Sequence, residues 1–423
     1  MAGTASKVIN IRRGLDLHWD GAPRQTIVAG PPVTAVAVLG ADYPGQRFDV
    51  QVEPGEAVAA GQSLLRDRKH PERVVVAPVA GRVAAVTRGA RRSIDTVEVT
   101  VAGDAVVPFA LPDRLDRDSL CTLLLASGLW AALRARPFDR PADLSMAPEA
   151  LFVTAIDTRP HAPDPSVIIG AHAGWFGRGL AALTLLTDGE TYLCHAAGAE
   201  IAGGDGVTSV AFAGRHPAGL ASTHIHHLHP LNRASRIVWQ IGYQDVIALG
   251  HLLETGHIWS ERIVALSGPV VSSPELVRTF PGVSLSQLLA VRRSSQAARI
   301  ISGSPLDGRV QAFLSRGHQQ VFVDRHQLKQ APRHGVRHLL RELREAGIPA
   351  LIPNAAHERA APIGVLAVPF LRALSVGDLD MAQRLGALEL VEEDMALLTL
   401  VNGEKADFGA MLRTVLDELE ESA

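Results

Sequence analysis

The stretch from Asp49 to Val99 reads DVQVEPGEAVAAGQSLL and then, after a short polar interval, ERVVVAPVAGRVAAVTRGARRSIDTVEV. Apolar and polar residues alternate along Asp49–Glu53 and Val74–Val76. Pro54-Gly55, Gly61, Pro78 and Gly81 then interrupt them at intervals too short for helices. A run of this kind folds as short strands joined by tight turns, because alternation places every second side chain on one face and Pro and Gly supply the turn conformations. At 423 residues the chain is also too long for one ordinary core, so further domains must follow.

Charge narrows the function classes. With 41 basic against 44 acidic side chains and no dense basic tract, no nucleic-acid partner is expected. Cys121 and Cys194 stand far apart and outside any CxxC spacing, which gives no thiolate set for zinc or an iron-sulfur cluster and suits a reducing compartment. The longest uncharged run, SLCTLLLASGLWAAL at 119–133, falls short of the roughly 20 residues that cross a bilayer and reads as a buried or amphipathic helix. The first twenty residues lack the apolar core of a secretory signal.

The spacing VxPGxxVxxGQxL followed by APVAGxVxxV resembles the barrel-sandwich fold of biotinyl and lipoyl carriers. Those carriers present a modifiable lysine on a hairpin, and the nearest candidate here is Lys69 in RDRKHPE. Neither carrier signature surrounds it, so the segment is expected to be scaffold and Lys69 to stay unmodified.

Three prolines between 137 and 148 mark a boundary. Beyond them ALFVTAIDT, PSVIIGA, ETYLCHA and GVTSVAFAG read as strands and GRGLAALTLLTDG as a helix, the rhythm of an α/β unit. GRGLAA, 177–182, matches GxGxxA, but it follows no strand at once. Its glycines are better read as a closely packed helix start than as a dinucleotide loop. RIVALSGPVVSSPELVRTFPGVSLSQLLA resembles a soluble-ligand-binding β-grasp domain. From about 331 the apolar residues recur at helical spacing in HGVRHLLREL, GDLDMAQRLGALELVEEDMALLTLV and ADFGAMLRTVLDELEE. There Glu389, Glu392 and Glu393 are expected on one solvated or docking face.

HPAGLASTHIHHLHP, 216–230, carries five histidines. Pro217, Gly219 and Pro230 disfavour a helix across its whole length. If 223–229 is extended, His224 and His226 face one way and His227 and His229 the other, so the four do not meet at one ion. The expectation is that His224, His226, His227 and His229 form an interdomain or quinone-proximal polar loop without a bound transition metal. No serine, histidine and acid set stands out as catalytic. The arginines of Arg12-Arg13-Gly14 and Arg91-Arg92 are expected to be solvated, with an acidic partner or a headgroup layer as the alternative.

Taken together, IRRGLDLHWDGAPRQTI, HPAGLASTHIHHLHPLNRASRIVWQIGYQDVIALG, LSGPVVSSPELVRTFPGVSL and LGALELVEEDMALLTLV resemble the NqrA family of sodium-translocating NADH:quinone reductases over nearly the whole chain. The resemblance implies an α/β multidomain protein. It would hold a barrel-sandwich domain (1–110), a Rossmann-like domain with the histidine-rich connection (111–257), an SLBB-like β-grasp domain (258–330) and a helical C-terminal region (331–423). It implies a peripheral subunit on the cytoplasmic side of the bacterial inner membrane, one of a six-subunit complex that reduces ubiquinone with NADH and exports sodium, docked on the membrane subunits, especially the one carrying the quinone site, and helping to form or gate that site. No cofactor would be tightly bound, no catalytic residue or metal ligand carries over, and ubiquinone is the substrate of the whole. Two segments mix small or rigid apolar groups with donors: AGPPVTAVAVLG, with Pro31 and Pro32, and GLWAALRARPF, with Trp130, Arg134 and Phe138. These five are the quinone-proximal candidates. One departure is plain: where the family has CTxVCPxK, this chain has Leu398, Val401-Asn402 and Lys405. A purely structural docking scaffold, or a soluble NADH-dependent oxidoreductase, are the competing classes.

Overall fold

A computed structural model describes residues 7–89, 93–231, 236–290, 292, 298–325, 355–403 and 406–422. HGVRHLLREL, Arg91-Arg92 and Lys405 lie outside the described residues.

The alternating N-terminal stretch forms two small facing sheets. One orders Ala35–Leu39, Ile94–Val101, Gly81–Arg88 and Ala57–Val58, and the other orders Phe48–Val50, Ser63–Asp67 and Val74–Val76. Val36, Leu64, Leu65, Val83, Val97 and Val99 fill the space between them. Each contributes roughly 1.5–3 kcal/mol by leaving water. Lys69 sits exposed in the turn after Ser63–Asp67, its backbone N–H donating to Asp67 (2.8 Å).

Two strands ahead of this barrel pair elsewhere. Val8–Ile11 adds a parallel edge to the α/β sheet against Val207–Gly214, and Arg24–Ala29 adds one to the β-grasp sheet against Glu275–Thr279. The N-terminal residues thus lace three modules together.

The α/β sheet runs Val8–Ile11, Val207–Gly214, Glu190–Ala196, Ala150–Ala155, Val238–Gly242, Arg134–Arg136, Arg140–Pro141; the first five are parallel. From Ala150–Ala155 the chain steps outward to one side twice and then returns to the other with Val238–Gly242. The order therefore reverses between those two strands, where folds of this class form a crevice at the carboxyl ends.

PSVIIGA is a correction: it is the helix Pro165–Ala171, not a strand. Asp164 caps it by accepting the Ser166 N–H (2.9 Å), and Pro165 occupies the first turn, where its missing N–H is no loss. GRGLAA lies inside the helix Ala173–Leu183 rather than at its start. A Cβ on Gly179 would come within 2.1 Å of the Val246 carbonyl oxygen, whereas Gly177 meets nothing within 4 Å. Only Gly179 is there for close packing, against the helix Tyr243–Thr255.

The C-terminal helices Ala367–Val376, Leu379–Arg384, Ala396–Val401 and Phe408–Ser422 close on Phe370, Leu374, Leu388, Phe408, Leu412 and Leu416. Leu398 is buried in that core. Among the described residues no helix is long and apolar enough to cross a membrane.

Candidate functional site

Two concave regions lie where modules meet. The first is the switch-point crevice. Asp157, Thr158 and Arg159 leave the strand Ala150–Ala155, and Arg159 donates from Nε to Asp307 of the β-grasp domain (2.7 Å), from Nη1 to Asp157 (3.2 Å) and from Nη2 to Glu393 of the helical region. Gly219 donates its N–H to Thr158 Oγ1 (2.8 Å). Its own Cα hydrogen is all that fits, since a Cβ would lie 2.5 Å from the Thr158 nitrogen. Burial alone would raise Asp307, but Arg159 and the Ser304 hydroxyl hold it down to about 2. Burial raises Glu393 and the adjacent Asp394. It also keeps His216 and His318 neutral, pressed to about 3 and about 4. Arg159 and its three carboxylates thus lie beyond the carboxyl end of Ala150–Ala155, and the helix that follows, Pro165–Ala171, is capped by the Asp164 carboxylate.

The histidine stretch borders this region and corrects its expected geometry: Ala221–Leu228 is a helix. His224 is buried, its ring 4.3 Å from that of Phe212 and Nε2 3.0 Å from the Ala218 carbonyl, and burial lowers it to about 3. His226 Nδ1 lies 2.6 Å from Glu389, and His229 Nε2 lies 3.0 Å from Glu149. The three glutamates share no open face either. Glu389 meets His226 and the Leu231 N–H, Glu392 meets Arg413, and Glu393 meets Arg159. Among the described residues no group of three His, Cys, Asp or Glu is placed to hold a metal ion.

The second region is an open cleft, with a cavity of about 90 Å³, between the barrel-sandwich, α/β and β-grasp modules. Val38, Leu39, Val76, Leu129 and Ile258 form its apolar walls, and Tyr43 and Trp259 present rings. Arg262 opens the buried strand Arg262–Ser267, and its guanidinium lies 5.5 Å from the centre of the Trp259 ring. Nη2 of Arg262 donates to Asp245 (2.6 Å) and Nη1 to the Glu261 carbonyl (3.3 Å). Arg316 shares Asp245 at 3.5 Å, and its backbone N–H donates to Asp42 (2.9 Å). Burial lowers Arg262 against the opposing pull of Asp245, raises Asp42, and raises the Tyr43 phenol to about 12. The groups that line the cleft are thus apolar walls, the Tyr43 and Trp259 rings, the Arg262 and Arg316 guanidiniums, the Asp42 carboxylate and the Ser127 and Ser260 hydroxyls.

The cleft draws on both segments singled out in the sequence, through Ala37–Leu39 of the first and Gly128 and Leu129 of the second. The five named candidates lie around it and are not gathered in it. Pro31 is half-buried and Pro32 exposed in the link before Ala35–Leu39. Trp130 is 2% exposed, donating to the Ala142 carbonyl (2.9 Å) and edge-on to Trp239. Arg134 pairs with Asp139 (2.9 Å), and Phe138 packs on the C-terminal core. Sequence reading missed Tyr43, Trp259, Arg262 and Arg316. An arginine heading a wholly apolar strand, three residues after a tryptophan in IWSERIVALS, was the available signal.

A barrel-sandwich, a Rossmann-like sheet with its crevice filled, a β-grasp sheet and a helical cap define a multidomain α/β protein built around module junctions. Family models agree along the chain: the NqrA N-terminal barrel-sandwich hybrid domain matches 9–102, the NqrA second alpha/beta domain 115–258 and the NQRA C-terminal domain 263–312. The chain is 41% identical to the NqrA subunit of the Na(+)-translocating NADH-quinone reductase of Yersinia pestis over 98% of its own length and 100% of the relative. It is 42% identical to that of Pseudomonas aeruginosa, with the same coverage. The chain belongs to the NqrA family of Na+-translocating NADH-quinone reductases. Among solved structures, an NAD+-reducing [NiFe]-hydrogenase superposes with a TM-score of 0.39 at 16% identity, covering 72% of this chain and 61% of that one.

Proposed function

We propose that this chain serves as the NqrA component of a Na+-translocating NADH:quinone reductase, a peripheral member on the cytoplasmic side of the membrane complex that couples ubiquinone reduction by NADH to sodium export. Family membership over the full length supports the complex. With no described helix able to span a bilayer, its hold on the membrane comes through the other subunits.

Within that complex the junction cleft contributes to the quinone site. The observation that carries this reading is the convergence of Ala37–Leu39, Gly128-Leu129 and the Trp259–Arg262 pair on one opening. A quinone headgroup is a flat apolar ring with carbonyl acceptors at its edge, and the cleft offers walls, ring platforms and donors to match. Pro31, Pro32, Trp130, Arg134 and Phe138 then shape the two segments that deliver the walls. Photoaffinity labelling of the assembled complex with a quinone carrying a short photoreactive tail tests it. Label within 37–43, 127–130 or 258–262 is the expected result; label confined to other subunits leaves this chain a docking scaffold.

A further inference from the structure

The outward face of the barrel-sandwich strands Phe48–Val50 and Ser63–Asp67 carries an arrangement that works against its own sheet. The register sets Phe48 against Asp67 and Asp49 against Arg66; Phe48 and Asp67 turn inward, while Asp49 and Arg66 are exposed. One step beyond, the Arg68 N–H donates to the Arg47 carbonyl (2.8 Å), so Arg47 and Arg68 stand opposite each other, both exposed. Like charges opposed across two strands destabilise the pairing. Lys69 follows, exposed in the turn. The carboxylates nearby do not offset the group. Asp49 holds Arg68 (2.8 Å), Glu72 meets His70 (3.4 Å), and Asp67, 4% exposed, accepts the N–H groups of Lys69 and His70 (2.8 and 3.2 Å). Among the described residues no carboxylate pairs with Arg47, Arg66 or Lys69. A sequence that breaks a pairing rule with no compensating contact inside the fold points to a contact outside it.

We propose that this face, through Arg47, Arg66, Arg68 and Lys69, rests on an anionic lipid surface. A sheet presents its outward side chains in one plane, which suits a plane of headgroups better than a single enclosed anion. Four cations less the charges of Asp49 and Glu72 leave a net charge of about two, too little for a nucleic-acid tract. It is enough to strengthen partitioning onto an anionic bilayer by roughly 30-fold, since each basic residue near such a surface contributes separately. The chain belongs to the family of a membrane complex, and no described helix of it spans a bilayer, so a lipid surface is within reach only from outside. The contact orients the barrel-sandwich domain toward the bilayer. It does not depend on the quinone reading of the cleft.

Co-sedimentation of the full chain with vesicles of phosphatidylcholine alone, and of phosphatidylcholine mixed with phosphatidylserine, tests it at low salt. Binding to the mixed vesicles is expected to be roughly 30-fold stronger and to weaken as salt is added. Arg47→Gln, Arg66→Gln and Lys69→Gln together should abolish that preference. Arg359→Gln, Arg372→Gln and Arg384→Gln together, which remove as many exposed charges from the helical region, should leave it intact. Because Arg47 opposes Arg68, the first triple variant should unfold at the same or a higher urea concentration than wild type. A marked fall in that midpoint makes the cations structural and overturns the proposal. Equal binding to both vesicle types, or equal losses in the two triple variants, also overturns it. If the wild type shows no lipid preference but the first variant fails to assemble with the detergent-solubilised complex, the face meets an acidic segment of a partner subunit and the lipid proposal falls.

Discussion

The switch-point crevice and the junction cleft are both concave, both sit where modules meet, and both are organised by arginine, yet one is filled and the other open. In the crevice a single guanidinium is surrounded by Asp157, Asp307 and Glu393, drawn from three modules. In the cleft two guanidiniums share one carboxylate and line a space bounded by rings and aliphatic walls. The difference separates an arginine that fastens a protein together from one that can meet a ligand. A Rossmann-like sheet is by itself no sign of nucleotide binding, and in this one the residues that leave Ala150–Ala155 are engaged in the protein's own ion cluster.

The largest effect should come from breaking the fastening. Arg159→Met removes the common partner of three mostly buried carboxylates, and the loss is expected at about 3–5 kcal/mol of unfolding free energy in urea titration. A loss under about 1 kcal/mol would show that the crevice is not the clasp the contacts describe.

Acidification should strain the same region. His216 and His318 have folded pKa values of about 3 and about 4, held down by burial, whereas the unfolded residues titrate near 6.5. Between those limits the unfolded chain binds more protons, so their contribution is present above about pH 6.5 and is lost as pH falls; at pH 5 each accounts for up to about 2 kcal/mol. Glu393 and Asp394, raised by burial, act in the opposite sense: they take up protons in the fold before they do in the unfolded chain and favour the fold as pH falls. The clean comparison is thus between wild type and His318→Gln. The drop in stability from pH 7 to pH 5 should be smaller in the variant by up to about 2 kcal/mol. Parallel pH profiles would mean that His318 already titrates normally in the fold.

The cleft should prove the more tolerant region. Arg262→Gln leaves Asp245 with Arg316, so the expected loss is about 1 kcal/mol, well below that of Arg159→Met, while quinone affinity changes. A loss as large as that of Arg159→Met would place Arg262 among the structural ions.

The strands of the α/β unit were legible where period and length agreed, as in ETYLCHA, which is the strand Glu190–Ala196. PSVIIGA misled because a short apolar run such as Val167-Ile168-Ile169 suits a buried strand or a buried helix equally; Asp164-Pro165, a cap and a first-turn proline, held the answer. The histidine stretch misled because its prolines flank the helix instead of interrupting it: Pro217 precedes Ala221 and Pro230 follows Leu228. The partners of Val8–Ile11 and Arg24–Ala29 were not legible at all, since pairing across some two hundred residues leaves no local pattern. The site was half legible. Segments 29–40 and 128–138 do reach the cleft, but their largest side chains, Trp130 and Phe138, are turned to the cores. The donors come instead from Arg262 and Arg316, which composition alone does not set apart from the other arginines.

The most direct test of the contrast between the two regions is an experimental structure of the full chain in complex with a short-chain benzoquinone. The account predicts a ring in the cleft, beside Trp259 with a carbonyl oxygen within hydrogen-bond distance of the Arg262 guanidinium, and an undisturbed Arg159–Asp307 pair. A ring seated in the switch-point crevice with that ion cluster displaced would contradict it.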